Sequence, residues 1–209
     1  MNDRLVWIDC EMTGLDVDRD VLLEVAAVVT DSQLNLLDDG VDVVIAAPED
    51  ALAGMIEIVR TMHDTSGLTA AARASSVTLA QAEQQVLGYL RGHVPEPRKA
   101  PLCGNSVSTD RAFLARHMRD LDAHLHYRII DVSSVKELVR RWYPKVYYSA
   151  PAKRGGHRAL ADIRESIEEL RYYRSTVFVA PPGPDSERAQ AAARAIVDPL
   201  APVTGSPAE

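Results

Sequence analysis

The chain has few of the features that mark secreted, zinc-binding or membrane proteins. It contains two cysteines in 209 residues, Cys10 and Cys103, and neither belongs to a CxxC or Cys/His cluster. This argues against a disulfide framework and against a structural zinc site. Its first residues lack the basic and apolar stretches of a secretory signal, and no apolar run approaches the roughly 20 residues that span a bilayer. We therefore expect a cytoplasmic protein with no membrane association.

Positive charge is also scarce. The formal net charge is −7, so we do not expect the chain to bind long nucleic acids through the release of counterions. If a nucleic acid is the substrate, it should be short and held locally. With 46% hydrophobic residues, the chain can bury the core of one domain.

Alternating apolar runs and turn residues predict an α/β domain with a mixed sheet. The predicted strands are 5–8, 22–30, 41–46, 101–103 and one that ends at Asp131. The predicted helices are 48–62, 78–91, 108–120, 133–142 and 158–174, and Asp131 is the predicted N-cap of the fourth. Residues 1–178 are expected to form this domain. Residues 179–209 are rich in proline and alanine and are expected to be a disordered tail with a candidate helix at 187–197.

Two acids close the first apolar run, Asp9 and Glu11. Side chains two positions apart on a strand point to the same face, so both carboxylates would be directed to one point. Their like charges repel unless a cation neutralises them, and oxygen ligands suit Mg²⁺ or Mn²⁺. The alternative is that both acids simply end a strand before a turn.

A third acid, Asp110, precedes an apolar stripe at helical spacing that begins at Phe113 and Leu114. It is therefore expected to face inward. The alternative is an acid placed in the first helical turn only by the helix dipole.

His157 and Asp162 form the last cluster of interest. Five residues correspond to about 140° of helical rotation, so one rigid helix face cannot direct both side chains to one site. His157 is therefore expected in the loop, where Gly155 and Gly156 permit movement and where it could act as a general base. The alternative is an exposed histidine before a helix.

Two further residues stay undecided from the sequence. Glu24 interrupts an apolar strand, and it is either a buried structural pair or part of a site. His63 is expected in a loop from which it could approach a substrate.

In this order, the four acids and the histidine resemble the His-containing branch of the DEDD 3'→5' exonucleases. The segments WIDCEMTGLD, GNSVSTDRAFL, HYRIIDVSSVKEL and HRALADIRESIEELRYYR are similar to the oligoribonuclease family. The resemblance covers about residues 5–178 and none of the tail. It implies an RNase H-like, DnaQ-like exonuclease fold, an α/β domain with a mixed five-stranded sheet and flanking helices.

The resemblance also implies a function. Asp9, Glu11, Asp110 and Asp162 would hold two divalent metal ions, Mg²⁺ or Mn²⁺, and His157 would take the proton from the attacking water. The substrates would be RNA of two to about five nucleotides, with 5'-mononucleotides as products. Two alternatives are a related exonuclease acting on longer RNA or DNA and a catalytically silent binding module.

A cap on the 5'-phosphate would limit the substrate length. The residues that match the family's cap are Ser106, His126, Tyr127 and Arg128. In relatives, the tyrosine and arginine side of the cap comes from the partner subunit, so the resemblance implies a homodimer.

Two residues would contact the bases. Leu15 matches a residue that packs against the substrate bases in relatives. The chain departs from the family at Ile58, where many relatives have a tryptophan. Because aromatic stacking contributes roughly 1–3 kcal/mol per base, we expect base-side affinity to be weaker here or to come from another residue.

Overall fold

The computed structural model describes residues 3–152 and 156–197, and these form an α/β domain around a mixed five-stranded sheet. The strands are β1 Leu5–Met12, β2 Leu22–Thr30, β3 Val41–Val44, β4 Pro101–Gly104 and β5 His126–Asp131. Their order in the sheet is β3-β2-β1-β4-β5. The β1–β2 and β2–β3 pairs are antiparallel, and the β1–β4 and β4–β5 pairs are parallel. The predicted mixed sheet is confirmed.

Short helices surround the sheet. They are α1 Glu49–Gly54, α2 Glu57–Thr65, α3 Leu68–Ala74, α4 Leu79–His93, α5 Ser108–His117, α6 Arg119–His124, α7 Val132–Trp142, α8 Pro144–Tyr148, α9 Ala159–Thr176 and α10 Ser186–Val197. The predicted helix 48–62 is divided into α1 and α2, because Met55 and Ile56 adopt extended backbone conformations. The predicted helix 108–120 is divided at Met118, whose backbone leaves the helical conformation (φ −132°, ψ 66°). Helices α3 and α8 were not predicted.

The first strand is longer than the sequence indicated. β1 continues to Met12, because Asp9 and Glu11 keep their backbone pairing with Ala26 and Glu24 of β2. The two acids therefore lie within a strand and not after it. The predicted N-cap is confirmed, since the Asp131 side chain accepts a hydrogen bond from the backbone of Ser133.

Apolar side chains cover both faces of the sheet. All nine residues of β2 are buried, as expected for a strand packed on both faces. Val6 and Ile8 of β1 belong to the core under α4 and α5, whereas Trp7 belongs to the core under α7 and α9. By strand alternation, Asp9 and Glu11 point to the same side as Trp7. The acids are thus directed toward α9.

The C-terminal part is only partly described. Helix α10 forms where the sequence predicted it and is exposed over residues 186–196. The rest of the predicted tail, residues 198–209, lies outside the described residues, and so does Gly155. The domain boundary at 178 stays a prediction. Among the helices described, none is long and apolar enough to cross a membrane.

Candidate active site

Three of the predicted acids converge near the end of β1, the central strand of the sheet. Carboxylate oxygens of Asp9, Glu11 and Asp162 lie within 4.8 Å of one another. Asp9 and Glu11 share one face of β1, and Asp162 lies in the first turn of α9, which packs over that face. The packing of α9 on the sheet therefore brings Asp162 next to Asp9 and Glu11.

These carboxylates disfavour one another's ionised forms. Burial raises the pKa of Asp9 well above its usual range, and the charges of Asp110, Glu11 and Asp162 raise it further. Burial likewise raises the pKa of Glu11 to about 8, with Asp162 and Glu24 adding to the effect. A divalent cation would reverse these shifts. The oxygen donors fit a hard ion such as Mg²⁺ or Mn²⁺.

Asp110 approaches the same strand from α5. It is 6% exposed, and its Oδ1 accepts a hydrogen bond from the backbone N–H of Cys10 at 2.9 Å. Burial raises its pKa to about 6, although that hydrogen bond opposes the shift. Because α5 follows β4, which is parallel to β1, its first turn meets the carboxyl end of β1. Asp110 is not one of the three mutually close acids, and its role as a metal ligand stays a prediction.

His157 lies in the loop immediately before α9, as its spacing from Asp162 predicted. It is exposed, and its backbone φ is 45°, a left-handed conformation that is uncommon for residues other than glycine. His157 lines an open cleft of about 800 Å³ whose other wall is α2. The side chain is therefore accessible to a ligand in that cleft.

The two predicted base contacts are exposed apolar residues. Leu15, in the turn after β1, is 76% exposed, and Ile58 is 74% exposed. Ile58 lines the cleft together with His157. The consequence of isoleucine at this position stays a prediction.

His63 is placed differently from its prediction. The loop assignment is wrong, because α2 continues to Thr65 and encloses the histidine. Its ring is fully buried, and its Nε2 is 2.9 Å from the carbonyl oxygen of Met12. Its Nδ1 lies 3.9 Å from Glu11 Oε2. Contact between His63 and a substrate stays a prediction.

The predicted 5'-phosphate cap is divided between the two ends of β5. The backbone N–H of Ser106 donates hydrogen bonds to Asp131 Oδ1 and Ser133 Oγ, both at 2.9 Å, which places Ser106 at the end of β5. His126 begins the same strand. The β4 residues that pair with His126 and Asp131 are Pro101 and Gly104, three residue steps of about 3.3 Å apart, so the two ends are separated by roughly 10 Å. The four predicted cap residues are therefore not gathered at one point of the chain, and the cap stays a prediction.

Tyr127 and Arg128 are accessible from outside the chain. Tyr127 is 74% exposed, and the Arg128 guanidinium lies 5.5 Å from its ring centre, a cation–π distance. Arg128 and His126 line a cavity of about 580 Å³ with Arg98 and Lys99. β5 is an edge strand, so this cationic group faces any molecule that docks there.

Sequence reasoning missed Arg158. Glu24 is fully buried, and it accepts hydrogen bonds from Arg158 Nε at 2.8 Å and from the backbone N–H of Ala159 at 2.9 Å. Glu24 is thus a buried carboxylate paired with Arg158, whose side chain is 35% exposed, and a contribution of Glu24 to the site stays a prediction. The signal was present in the sequence, because a buried carboxylate in an apolar strand needs a cationic or hydrogen-bonding partner.

The raised pKa of Glu11 predicts how the stability of the metal-free protein changes with pH. Between the ordinary pKa of 4.5 and about 8, the folded chain keeps a proton that the unfolded chain has released. The free energy of unfolding should therefore fall as the pH rises from about 4.5 to 8. Urea unfolding in EDTA at several pH values measures this, with Glu11→Gln expected to flatten the profile. Parallel profiles for the two proteins would contradict the prediction.

The chain is similar in sequence to known exonucleases. An exonuclease family model (RNase_T) matches residues 6–170. The oligoribonuclease of Streptomyces griseus is 65% identical over 202 residues, which cover 97% of this chain and 100% of the relative. The oligoribonuclease of Streptomyces avermitilis is 66% identical over 190 residues, which cover 91% of this chain and 94% of the relative.

A solved structure supports the same fold. The zinc-bound form of the E. coli exonuclease I complex with single-stranded DNA gives a TM-score of 0.64 at 15% identity, over 85% of this chain and 41% of that one. The chain thus spans about two fifths of that protein. The likeness confirms the predicted RNase H-like, DnaQ-type fold and nothing further. The family model and the relatives, which are covered over almost their whole length, establish that the chain belongs to the exonuclease family and, within it, to the oligoribonucleases.

Proposed function

We propose that the chain is a metal-dependent 3'→5' exoribonuclease that degrades RNA of two to about five nucleotides to 5'-mononucleotides. The observation that carries this proposal is the convergence of Asp9, Glu11 and Asp162 at the start of the helix that follows His157. Relatives named oligoribonuclease match over almost their whole length, which supports short RNA as the substrate. The net charge of −7 agrees, since it offers little attraction to a long phosphate backbone.

In this proposal, Asp9, Glu11, Asp110 and Asp162 hold two divalent ions, Mg²⁺ or Mn²⁺. Such ions, when bound, activate the attacking water and stabilise the leaving 3' oxygen. His157 takes the proton from that water, since an imidazole accepts protons near neutral pH.

Two further features belong to the proposal, the contacts with the substrate bases and the location of the protein. The exposed side chains of Leu15 and Ile58 contact the substrate bases. Both cysteines are buried and free, which supports a reducing cytoplasm as the location.

A comparison of two substrates tests the function. A 5'-phosphorylated diribonucleotide should release 5'-mononucleotide in Mg²⁺, with a higher kcat/KM than an RNA of about 20 nucleotides, because a 5' cap obstructs long strands. EDTA should abolish the release. A preference for the longer RNA would favour a trimming or proofreading exonuclease. Hydrolysis of neither substrate would favour a binding module.

We also propose that the cap is completed in a homodimer. Its parts lie at opposite ends of β5, which is an edge strand. Large exposed apolar side chains lie on β5 and on the helices after it, as is typical of protein interfaces. They are Tyr127, Ile129, Leu138, Trp142, Tyr143 and Tyr148.

Mixed dimers test this arrangement. Arg128→Ala should lower kcat/KM for the 5'-phosphorylated dinucleotide about 10- to 100-fold, as expected for losing a charged hydrogen bond, and Asp162→Asn should be inactive. Mixing the two variants after dissociation should restore about one quarter of wild-type turnover. Half of the dimers are then mixed, and each of these has one complete site. Mixed dimers without restored activity would contradict a cap shared between subunits.

A further inference from the structure

The two oxygens of Glu24 are both engaged by the start of α9. Oε1 accepts hydrogen bonds from Nε and Nη2 of Arg158, and Oε2 accepts the backbone N–H of Ala159 at 2.9 Å. Glu24 is fully buried, and it is the backbone partner of Glu11 across the β1–β2 pair. One buried carboxylate therefore connects the strand beside the acidic cluster to the first residues of α9.

This connection replaces a missing helix cap. Arg158 occupies the N-cap position of α9, and its own side chain caps no backbone N–H. A free N–H at a helix start needs an acceptor, and Glu24 supplies one for Ala159 from a different element. Asp42 of β3 lies 3.9 Å from Arg158 Nη2, so acids from two strands hold the guanidinium.

The anchored residue stands between two residues of the proposed site. His157 immediately precedes Arg158, and Asp162 lies three residues after Ala159 in the first turn of α9. A shift of the helix start would displace both side chains together. A displacement of about 1 Å at a catalytic group can cost about 100-fold in rate.

We propose that Arg158, held by Glu24, is a positioning residue that fixes His157 and Asp162 relative to the acids of β1. The inference rests on the proposed function for its kinetic part. Stability alone is a weak reason for the pair, because ion pairs taken out of water often stabilise a fold no more than apolar residues of similar volume do, and the Arg158 side chain is still 35% exposed.

Four variants test the proposal: Arg158→Gln, Glu24→Gln, the double variant, and Arg164→Gln as a control. Arg164 lies on the same helix, and its ion pair with Asp39 is exposed. Arg158→Gln should lower kcat for the 5'-phosphorylated dinucleotide about 100-fold with little change in KM. It should also weaken Mn²⁺ binding about 10-fold, and its Tm should fall because Glu24 loses its counter-charge. Arg164→Gln should match wild type in kcat, KM, Mn²⁺ affinity and Tm.

The double variant separates positioning from stability. With both charges removed, its Tm should rise above that of Arg158→Gln, whereas kcat and Mn²⁺ affinity should stay low. Recovery of kcat in step with Tm would overturn the proposal, and so would wild-type kcat and Mn²⁺ affinity in Arg158→Gln. If the wild-type protein hydrolyses no dinucleotide, the proposed function fails. The Mn²⁺ titrations then still decide whether Arg158 positions Asp162.

Discussion

Asp9→Asn is expected to reduce kcat/KM for a 5'-phosphorylated dinucleotide by about 1,000-fold or more. Asp9 lies within 4.8 Å of Glu11 and Asp162 and next to the charge of Asp110, so a bound cation would depend on its charge. A metal ion contributes several kcal/mol of transition-state stabilisation, and each 1.36 kcal/mol corresponds to about a factor of ten. An asparagine keeps the shape of the side chain and removes the charge.

The same variant should be more stable than wild type when metal is absent. Burial and four neighbouring carboxylates raise the pKa of Asp9, so its ionised form is disfavoured in the folded protein at neutral pH. Replacement by asparagine removes that cost. The urea midpoint in EDTA should therefore rise, whereas the further increase that Mg²⁺ or Mn²⁺ gives to wild type should be lost.

Asp39→Asn is the matched control, because the Asp39 side chain is fully exposed. It should change neither activity nor the metal-dependent shift of the midpoint, since exposed ion pairs contribute little. An Asp9→Asn protein that is less stable in EDTA, or that keeps its response to Mg²⁺, would show that Asp9 is not part of a metal site.

Elements with strong local signals were predictable from the sequence. Helix α4 begins at a capping box between Thr78 and Gln81, and the apolar run of β2, which only Glu24 interrupts, indicated a strand. The break between α1 and α2 had only the weaker signal of Gly54, the last residue of α1. Leu52 and Met55 pack with Leu23 of β2, so long-range packing determines where the first helix ends.

In the site, too, local patterns predicted some positions, whereas others depend on packing between distant parts of the chain. The spacing of Asp9 and Glu11 and the loop position of His157 follow from strand and helix periodicity. Asp162 joins them only through the packing of α9 on the sheet. The pair between Glu24 and Arg158 joins residues 134 positions apart, and no periodic pattern relates them. The proposed cap requires a second chain. The sequence indicated this only through its resemblance to a family.

His157→Asn is expected to lower kcat about 100- to 10,000-fold, the usual contribution of a general base. Asparagine is a suitable replacement because the His157 φ of 45° lies in the left-handed region, which asparagine tolerates better than most residues. The variant thus removes the imidazole without adding backbone strain. KM and Mn²⁺ affinity should stay near wild type, because the four acids are unchanged.

The pH dependence distinguishes a general base from a binding residue. Without the imidazole, solvent hydroxide has to remove the proton, so the rate of His157→Asn should keep rising with pH where the wild-type rate levels off. His93→Gln is the control, because His93 pairs with Asp38 and not with the proposed site. A higher KM with unchanged kcat would instead assign His157 to substrate binding. A left-handed histidine costs of order 1–3 kcal/mol, and a role in the reaction would explain why the fold keeps it there.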